Sequence, residues 1–591
     1  MITWKKSWPD QWEGLPVDVL PCSNDEYLPN PVTPEQIAIM RLQSREVERW
    51  RRHFNMSRRQ FVRTSAAMSI GFWAINAVMN TRWGNYALAH NTETTDACDL
   101  EWDEATDKST LMNLPGEFIF DIQSHHVDPE GDWRVTNPAM MAFFVAVWPQ
   151  ASPALGDQPG IRDDGSIRGG GAGEIDPVEN MSRFHYMKEL YLDSATTMTV
   201  LSCTPTSPDT NNPLPLAEAA LTVNAANEMS KSQRAIMHAF VMPNRGGAGM
   251  TQDQLMEPTS QEPPKSLFFD QEMEQMWTRA EQYHDILGGW KTYCAWGDVP
   301  YASGWQLDSD TGMAFLENVR KVSDAYPDVP PVVATHKGFA LPGFDQRGAA
   351  PRDVGPAAKA NPGVRFMIYH SGYDLFQGGE DEYAGDENVN SSDRSVDSFI
   401  KSLRENDHDA SHFVEPGKTF GNVPNVWAEL GSVWRDHVGN PSAAAHLLGK
   451  LITHVGPKRI AWGTDSLWYG SPQSEIVAMR TLEFSDEAKE LYNLPHGLDG
   501  DVEDPTQPAP SPERTIRNGI LGRNAAAAYN IDPDAKRNAL ACEAVNGLRK
   551  SDYVKDIGTP TETAPLASNQ VNGARTRREV LNGLREGPWT P

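Results

Sequence analysis

Three histidines, a lysine and two acids stand where apolar runs of strand type come to an end: His125, Lys291, His336, His370, Glu429 and Asp465. Imidazole and carboxylate groups bind divalent metals and move protons at neutral pH. A lone histidine at a strand end is an ordinary structural residue. Three of them with a lysine and two acids, each on a different strand, ask for a fold that gathers strand ends. The first of these runs reads Glu117-Phe-Ile-Phe-Asp-Ile-Gln-Ser-His-His-Val127. Strand side chains alternate faces, so Asp121, Gln123 and His125 are expected on one face and Ser124 and His126 on the other.

The elements that must position these residues follow from periodicity. Strand candidates run over 118–125, 198–203, 235–241, 290–296, 332–336, 364–370, 426–430 and 459–465, with helix-like segments such as 184–194, 216–231, 313–326 and 443–455 between them. Eight β units separated by helices predict an α/β fold, a parallel sheet closed as a (β/α)8 TIM barrel, over residues 110–532. No internal repeat supports a solenoid. The long connections 156–173, 343–362 and 374–424 all follow carboxyl ends of strands, the face on which a barrel builds its site. Arg352, in the second of them, and Glu429 are therefore candidates for substrate binding.

His-Lys-Gly at 336–338, His-Ser-Gly at 370–372 and Gly-Thr-Asp at 463–465 occur in an order that resembles the metal-dependent amidohydrolase superfamily. The nearest resemblance is to its amidohydrolase-related branch, which also holds aminocarboxymuconate semialdehyde and dihydroxybenzoate decarboxylases. It covers about residues 115–532, including the closing Ile520-Leu-Gly-Arg-Asn-Ala-Ala-Ala-Ala-Tyr-Asn-Ile531. The resemblance implies a barrel enzyme with His125, His336 and Asp465 as metal ligands. It also implies His370 as a ligand or as the residue that orients and deprotonates water. Lys291 matches a position that carries a bridging carbamate in some binuclear members; a lysine paired with a carboxylate or a substrate anion is the plainer expectation.

Where the family reads Asp-x-His-x-His, this chain has Asp121-Ile-Gln123-Ser-His125. An amide oxygen is a weaker donor than imidazole for zinc, so Gln123 is expected as a distant ligand or a support. Three good ligands suffice for a catalytic zinc, and the expected cofactor is one divalent ion, Zn or Mn. The expected chemistry is hydrolysis of a C–N or C–O bond in a small organic substrate by an activated water, with Asp465, His370 and Lys291 as catalytic residues. The alternatives are non-oxidative decarboxylation of a carboxylated ring, and an exported binding or scaffold barrel.

Composition narrows the partners. The 591 residues carry a formal net charge of -28, which argues against nucleic acid or an anionic membrane as a partner of the body. Five cysteines without paired spacing argue against a disulfide framework. Residues 1–40 look like an irregular leader. Residues 41–89 combine an arginine-rich stretch containing Arg58 and Arg59, an uncharged run from Thr64 to Thr81, and Ala87-Leu-Ala89; this resembles a twin-arginine export signal. The twin-arginine export machinery would then be a partner, with the protein periplasmic or extracellular and its mature chain starting near residue 90. An uncleaved membrane anchor and a cytoplasmic protein are the other readings. Residues 533–591 read as an extension that wraps the barrel or a neighbouring copy in a homo-oligomer.

Overall fold

The computed structural model describes residues 34–53, 57, 58, 74, 111, 113–137, 140, 141, 178, 181–206, 212–245, 268–297, 304–340, 344–373, 395–406 and 424–541. Eight parallel strands pair in sequence order: β1 Phe120–Ser124, β2 Met198–Leu201, β3 Ala235–Phe240, β4 Leu287–Tyr293, β5 Val332–His336, β6 Arg365–Tyr369, β7 Val426–Glu429 and β8 Ile460–Ala461. The ring closes between β8 and β1. Ile122 N–H donates to the Trp462 carbonyl, Asp465 N–H to the Gln123 carbonyl, and Ser124 bridges Ser466 in parallel. This is a (β/α)8 barrel.

The parity of each strand sorts its side chains. Phe120, Ile122, Val200, Ile236, Ala334 and Met367 fill the interior, together with Ala525 and Ala526 of the closing helix. Trp290, Val333, Phe366, Ile368 and Ala428 face outward into a larger apolar layer under the helices. α3 Leu216–Ser230, α4 Phe269–Tyr283, α5 Asp310–Ala325 and α8 Pro441–His454 are the chief crossovers, while α2 Arg183–Met187 is one short turn that runs on as a π-helical turn, Lys188–Leu192. Asn440 caps α8 by accepting from Ala443 N–H, with Pro441 at the first helical position.

Two expected loops contain helices. Residues 343–362 include α6 Val354–Ala360, and 374–424 include α7 Val396–Glu405, capped by Ser395. The glycine-rich 156–173 connection lies outside the described residues. The extension beyond 533 begins with a helix, Pro533–Ala541, and from 542 onward it too lies outside them. The arginine-rich stretch opens with α1 Pro34–His53, whose Ile39 and Met40 are fully buried in one cluster with Val127, Trp133 and Met181 beside the end of β1. Arg59 and most of the run from Thr64 to Ala89 lie outside the described residues. Among the described residues, no helix is long and apolar enough to cross a membrane.

Candidate active site

The strand ends deliver five polar side chains to one mouth, and each is at most 6 % exposed: Gln123, His125, His336, His370 and Asp465. β1 does this with a bulge. Asp121 pairs with Thr199 and Ser124 with Leu201, so two residues of β1, Ile122 and Gln123, stand opposite Val200 alone. The extra residue breaks the alternation. Phe120 and Ile122 point inward, and so do Gln123 and His125 after the bulge. Asp121 is turned out of the site, contrary to the simple parity expectation; it accepts from the amide and hydroxyl of Thr464 and from the Gln123 amide. Burial pushes its carboxyl up to about 8. His126 points outward, as parity requires, to Thr222 of α3 and the Tyr186 ring.

Each of the three histidines is tied to a backbone carbonyl by one ring nitrogen. His125 Nδ1 meets the Ser202 carbonyl at 2.8 Å, His336 Nε2 that of Phe339 at 3.0 Å, and His370 Nδ1 that of Gly431 at 2.7 Å. A carbonyl only accepts, so these nitrogens carry the protons and the opposite nitrogens are bare. The bare atoms face one another. His370 Nε2 lies 3.1 Å from His336 Nδ1, and His125 Nε2 lies 3.0 Å from Asp465 Oδ1. Gln123 bridges the pairs, its Nε2 at 2.9 Å from Asp465 Oδ1 and 3.4 Å from His370 Nε2, while its Oε1 is buried without a partner.

These atoms form two pairs, not one cage. Among the described residues, no group of three or more His, Cys, Asp or Glu side chains is gathered as a metal cage. The donor chemistry nonetheless fits a divalent cation. Three imidazoles are oriented through one ring nitrogen each, as ligands are in metal sites, which turns their other nitrogens into the mouth beside the Asp465 carboxylate.

The surroundings hold this arrangement under strain. His370, Ser371, Ser432 and Asp465 all have positive φ (67°, 51°, 57° and 60°), a region that non-glycine residues seldom occupy outside functional sites. Burial would raise the Asp465 carboxyl. With the His125 ring doubly protonated, its bond and charge, together with the charge of His370 and the Ser432 hydroxyl at 2.5 Å, outweigh burial and hold it well below the carboxylate range; a bare Nε2 supplies neither bond nor charge. Burial also pushes His370 down to about 4 and His336 well below its ordinary value. The Trp468 ring stacks on His125, with centroids 5.1 Å apart.

Lys291 is fully buried one layer deeper, its Nζ over the rings of Tyr293 at 3.7 Å and Tyr369 at 4.4 Å. Burial pushes its amine down to about 7, and among the described residues no carboxylate lies within ion-pair distance.

Two expected substrate-binding residues are placed otherwise. Glu429 is spent on the backbone: Oε2 accepts from the His370 amide at 3.0 Å and Oε1 from the Gly431 amide at 2.6 Å. It shapes the turn that carries His370. The Arg352 side chain is exposed, and its short 3-10 turn packs against α7, where its carbonyl accepts from Ser402.

Sequence reading missed a polar group beneath the mouth: Ser202, His238, Tyr369 and Tyr529. His238 sits mid-strand in β3, and its shared parity with the interior Ile236 is the signal that places it inside the barrel.

No protein-family model matches the chain, and no curated protein matches its sequence. Similar solved structures include 2,6-dihydroxybenzoate decarboxylase from Rhizobium, at 10% identity over 70% of this chain and 99% of that one, with a TM-score of 0.33. Another is dihydroxybenzoic acid decarboxylase from Polaromonas sp. JS666 with bound manganese, at 12% identity, 70% and 97% coverage and a TM-score of 0.33. A third is 5-carboxyvanillate decarboxylase from Sphingomonas paucimobilis, at 10% identity, 70% and 99% coverage and a TM-score of 0.33. At these scores the likeness carries no weight of its own. The barrel rests on its strand pairing and the site on its side-chain geometry.

Proposed function

We propose that the chain is a metal-dependent hydrolase, similar to the amidohydrolase-related enzymes, that cleaves a C–N or C–O bond of a small organic substrate. One observation carries the reading: the inward nitrogens of His336 and His370, and that of His125 with the Asp465 carboxylate, form two facing pairs joined by Gln123 inside one mouth. His125, His336 and Asp465 would hold a divalent ion, Zn or Mn, with His370 and Gln123 beside it. When bound, such an ion supplies an activated water and polarises a scissile carbonyl.

The remaining work belongs to the chain. Asp465 accepts the proton of the attacking water at Oδ1, the oxygen that faces His125 and Gln123. His370 is fixed by Gly431 through its ring and by Glu429 through its amide, so its Nε2 is aimed where water must be oriented. Lys291 has no carboxylate partner among the described residues and receives the anionic group of the substrate. The Trp468 ring covers His125 and shields the reacting groups from bulk water.

The test is metal content. Full-length protein from metal-replete medium should carry about one divalent ion per chain, as expected for a mononuclear catalytic site, and His336→Ala and Asp465→Ala should lose it. Wild-type protein without metal would overturn the reading.

A further inference from the structure

The mouth of the barrel stands on a second polar layer. Ser202, His238 and Tyr369 come from β2's end, β3 and β6, and Tyr529 from the end of the closing helix α9, Asn524–Ala528; none is more than 4 % exposed. His238 Nε2 is 2.9 Å from Tyr529 Oη, and its Nδ1 is 3.0 Å from Ser202 Oγ. Ser202 Oγ is 3.0 Å from Tyr369 Oη, which in turn donates to the Ile122 carbonyl.

That last acceptor fixes the direction of every bond. Tyr369 has one proton, and it goes to Ile122, so Ser202 donates to Tyr369. His238 Nδ1–H then donates to Ser202, with Tyr369 Oη at 3.3 Å as a second acceptor, and Tyr529 donates to His238 Nε2. The chain runs one way from Tyr529 to Ile122, an order in which each bond polarises the next.

It touches the strands at the bulge of β1 and at the end of β2. Ile122 is in the bulge of β1, immediately before Gln123. Ser202 lies one residue past the last β2–β3 pair, Leu201 with Met237, and its carbonyl holds His125 Nδ1. The Ser202 amide is still tied to the Ser124 carbonyl at 2.8 Å; the polar chain adds a bond from Tyr369 to the Ile122 carbonyl and holds the Ser202 side chain next to the carbonyl that meets His125. We infer that His238 is a positioning residue: through Ser202 and Tyr369 it sets the aim of His125 and Gln123 toward the bound ion. An apolar residue would fill the volume of His238 equally well, but it would leave the Ser202 hydroxyl and Tyr529 without their partner.

The inference rests on the metal reading, and the experiment separates the two. The full chain is stripped of metal and titrated with Mn²⁺ as wild type, His238→Leu, Ser202→Ala and His238→Gln, with the Tm of each recorded. In parallel, the rate at which diethyl pyrocarbonate modifies His125 in metal-free protein is followed by mass spectrometry. His238→Leu and Ser202→Ala should weaken Mn²⁺ by about 10- to 100-fold, the usual effect of losing a residue that orients a ligand. His125 should be modified several-fold faster in both, and His238→Gln should recover much of the difference. Unchanged Mn²⁺ affinity and an unchanged His125 rate, whatever happens to Tm, would overturn the positioning role. Wild-type protein that takes up no Mn²⁺ while His238→Leu still accelerates His125 modification would sink the metal reading and leave the positioning role standing.

Discussion

At the scale of the residue, this site is a set of groups kept in states that cost stability. Lys291 is the clearest case, because its amine titrates near about 7 in the folded chain against an ordinary 10.5. Below pH 7 the amine is charged in both states, and the folded chain bears the full cost of burying that charge. Between about 7 and 10.5 the unfolded chain binds a proton that the folded one does not, so this contribution to stability improves as pH rises. Above that window it vanishes. Lys291→Met should therefore raise the unfolding free energy at pH 6 by a few kcal/mol, on the scale of about 1.4 kcal/mol per pKa unit, and change it little near pH 10.5. Activity should fall at the same time. Denaturant melts at the two pH values check this, and an equal effect at both would show that burial does not depress the amine. The motif reading named Lys291 and the three histidines because a basic side chain at a strand's end is visible in a single sequence. It did not foresee the surroundings of Glu429 and Arg352, because nothing in residue type tells a carboxylate bound to two backbone amides from one free of them, or says which way a loop arginine turns.

At the scale of the element, close approach of backbones decides what the strands can carry. A Cβ built on Gly463 would stand 1.7 Å from Glu429 Oε1, so the glycine after β8 leaves room for the carboxylate that accepts from His370 and Gly431. Gly463→Ala should destabilise the fold by about 1–3 kcal/mol, as overpacking does. It should also lower metal content by moving the His370 turn. Calorimetry and elemental analysis together test this, and a destabilised variant with full metal would free Glu429 from any part in holding His370. Strand positions were legible wherever an apolar run was unbroken: Val332–His336 begins and ends where the sequence places it. β8 is only Ile460–Ala461, since after Ala461 the chain turns its polar groups to β1 rather than continuing a ladder. The bulge in β1 was hidden, because an extra residue leaves composition and apolar spacing unchanged and appears only in the register against β2.

At the scale of the whole molecule, the acidic barrel and its basic first helix are parts of one folded body. α1 places Ile39 and Met40 in the cluster that also buries Val127 and Trp133, directly after His125 and His126. Its arginines lie on the outer side: Arg45, Arg49 and Arg52 are about 70 % exposed, and they and Arg51 are paired to Glu46 or Glu48 in the same helix. Arg58, one of the signal-like pair, is half-buried and near Glu48 and Arg51. An export signal processed after Ala89 would strip α1 from the barrel and open that cluster to water. Losing two fully buried aliphatic side chains alone costs about 3–6 kcal/mol, at roughly 1.5–3 kcal/mol each. A chain lacking residues 1–89 should therefore melt well below the full-length protein, and protein recovered from its natural compartment should still carry α1. Terminal sequencing and calorimetry of both forms decide the matter. A natural chain that begins near residue 90 and melts with the full-length protein would show that α1 has no part in the mature fold.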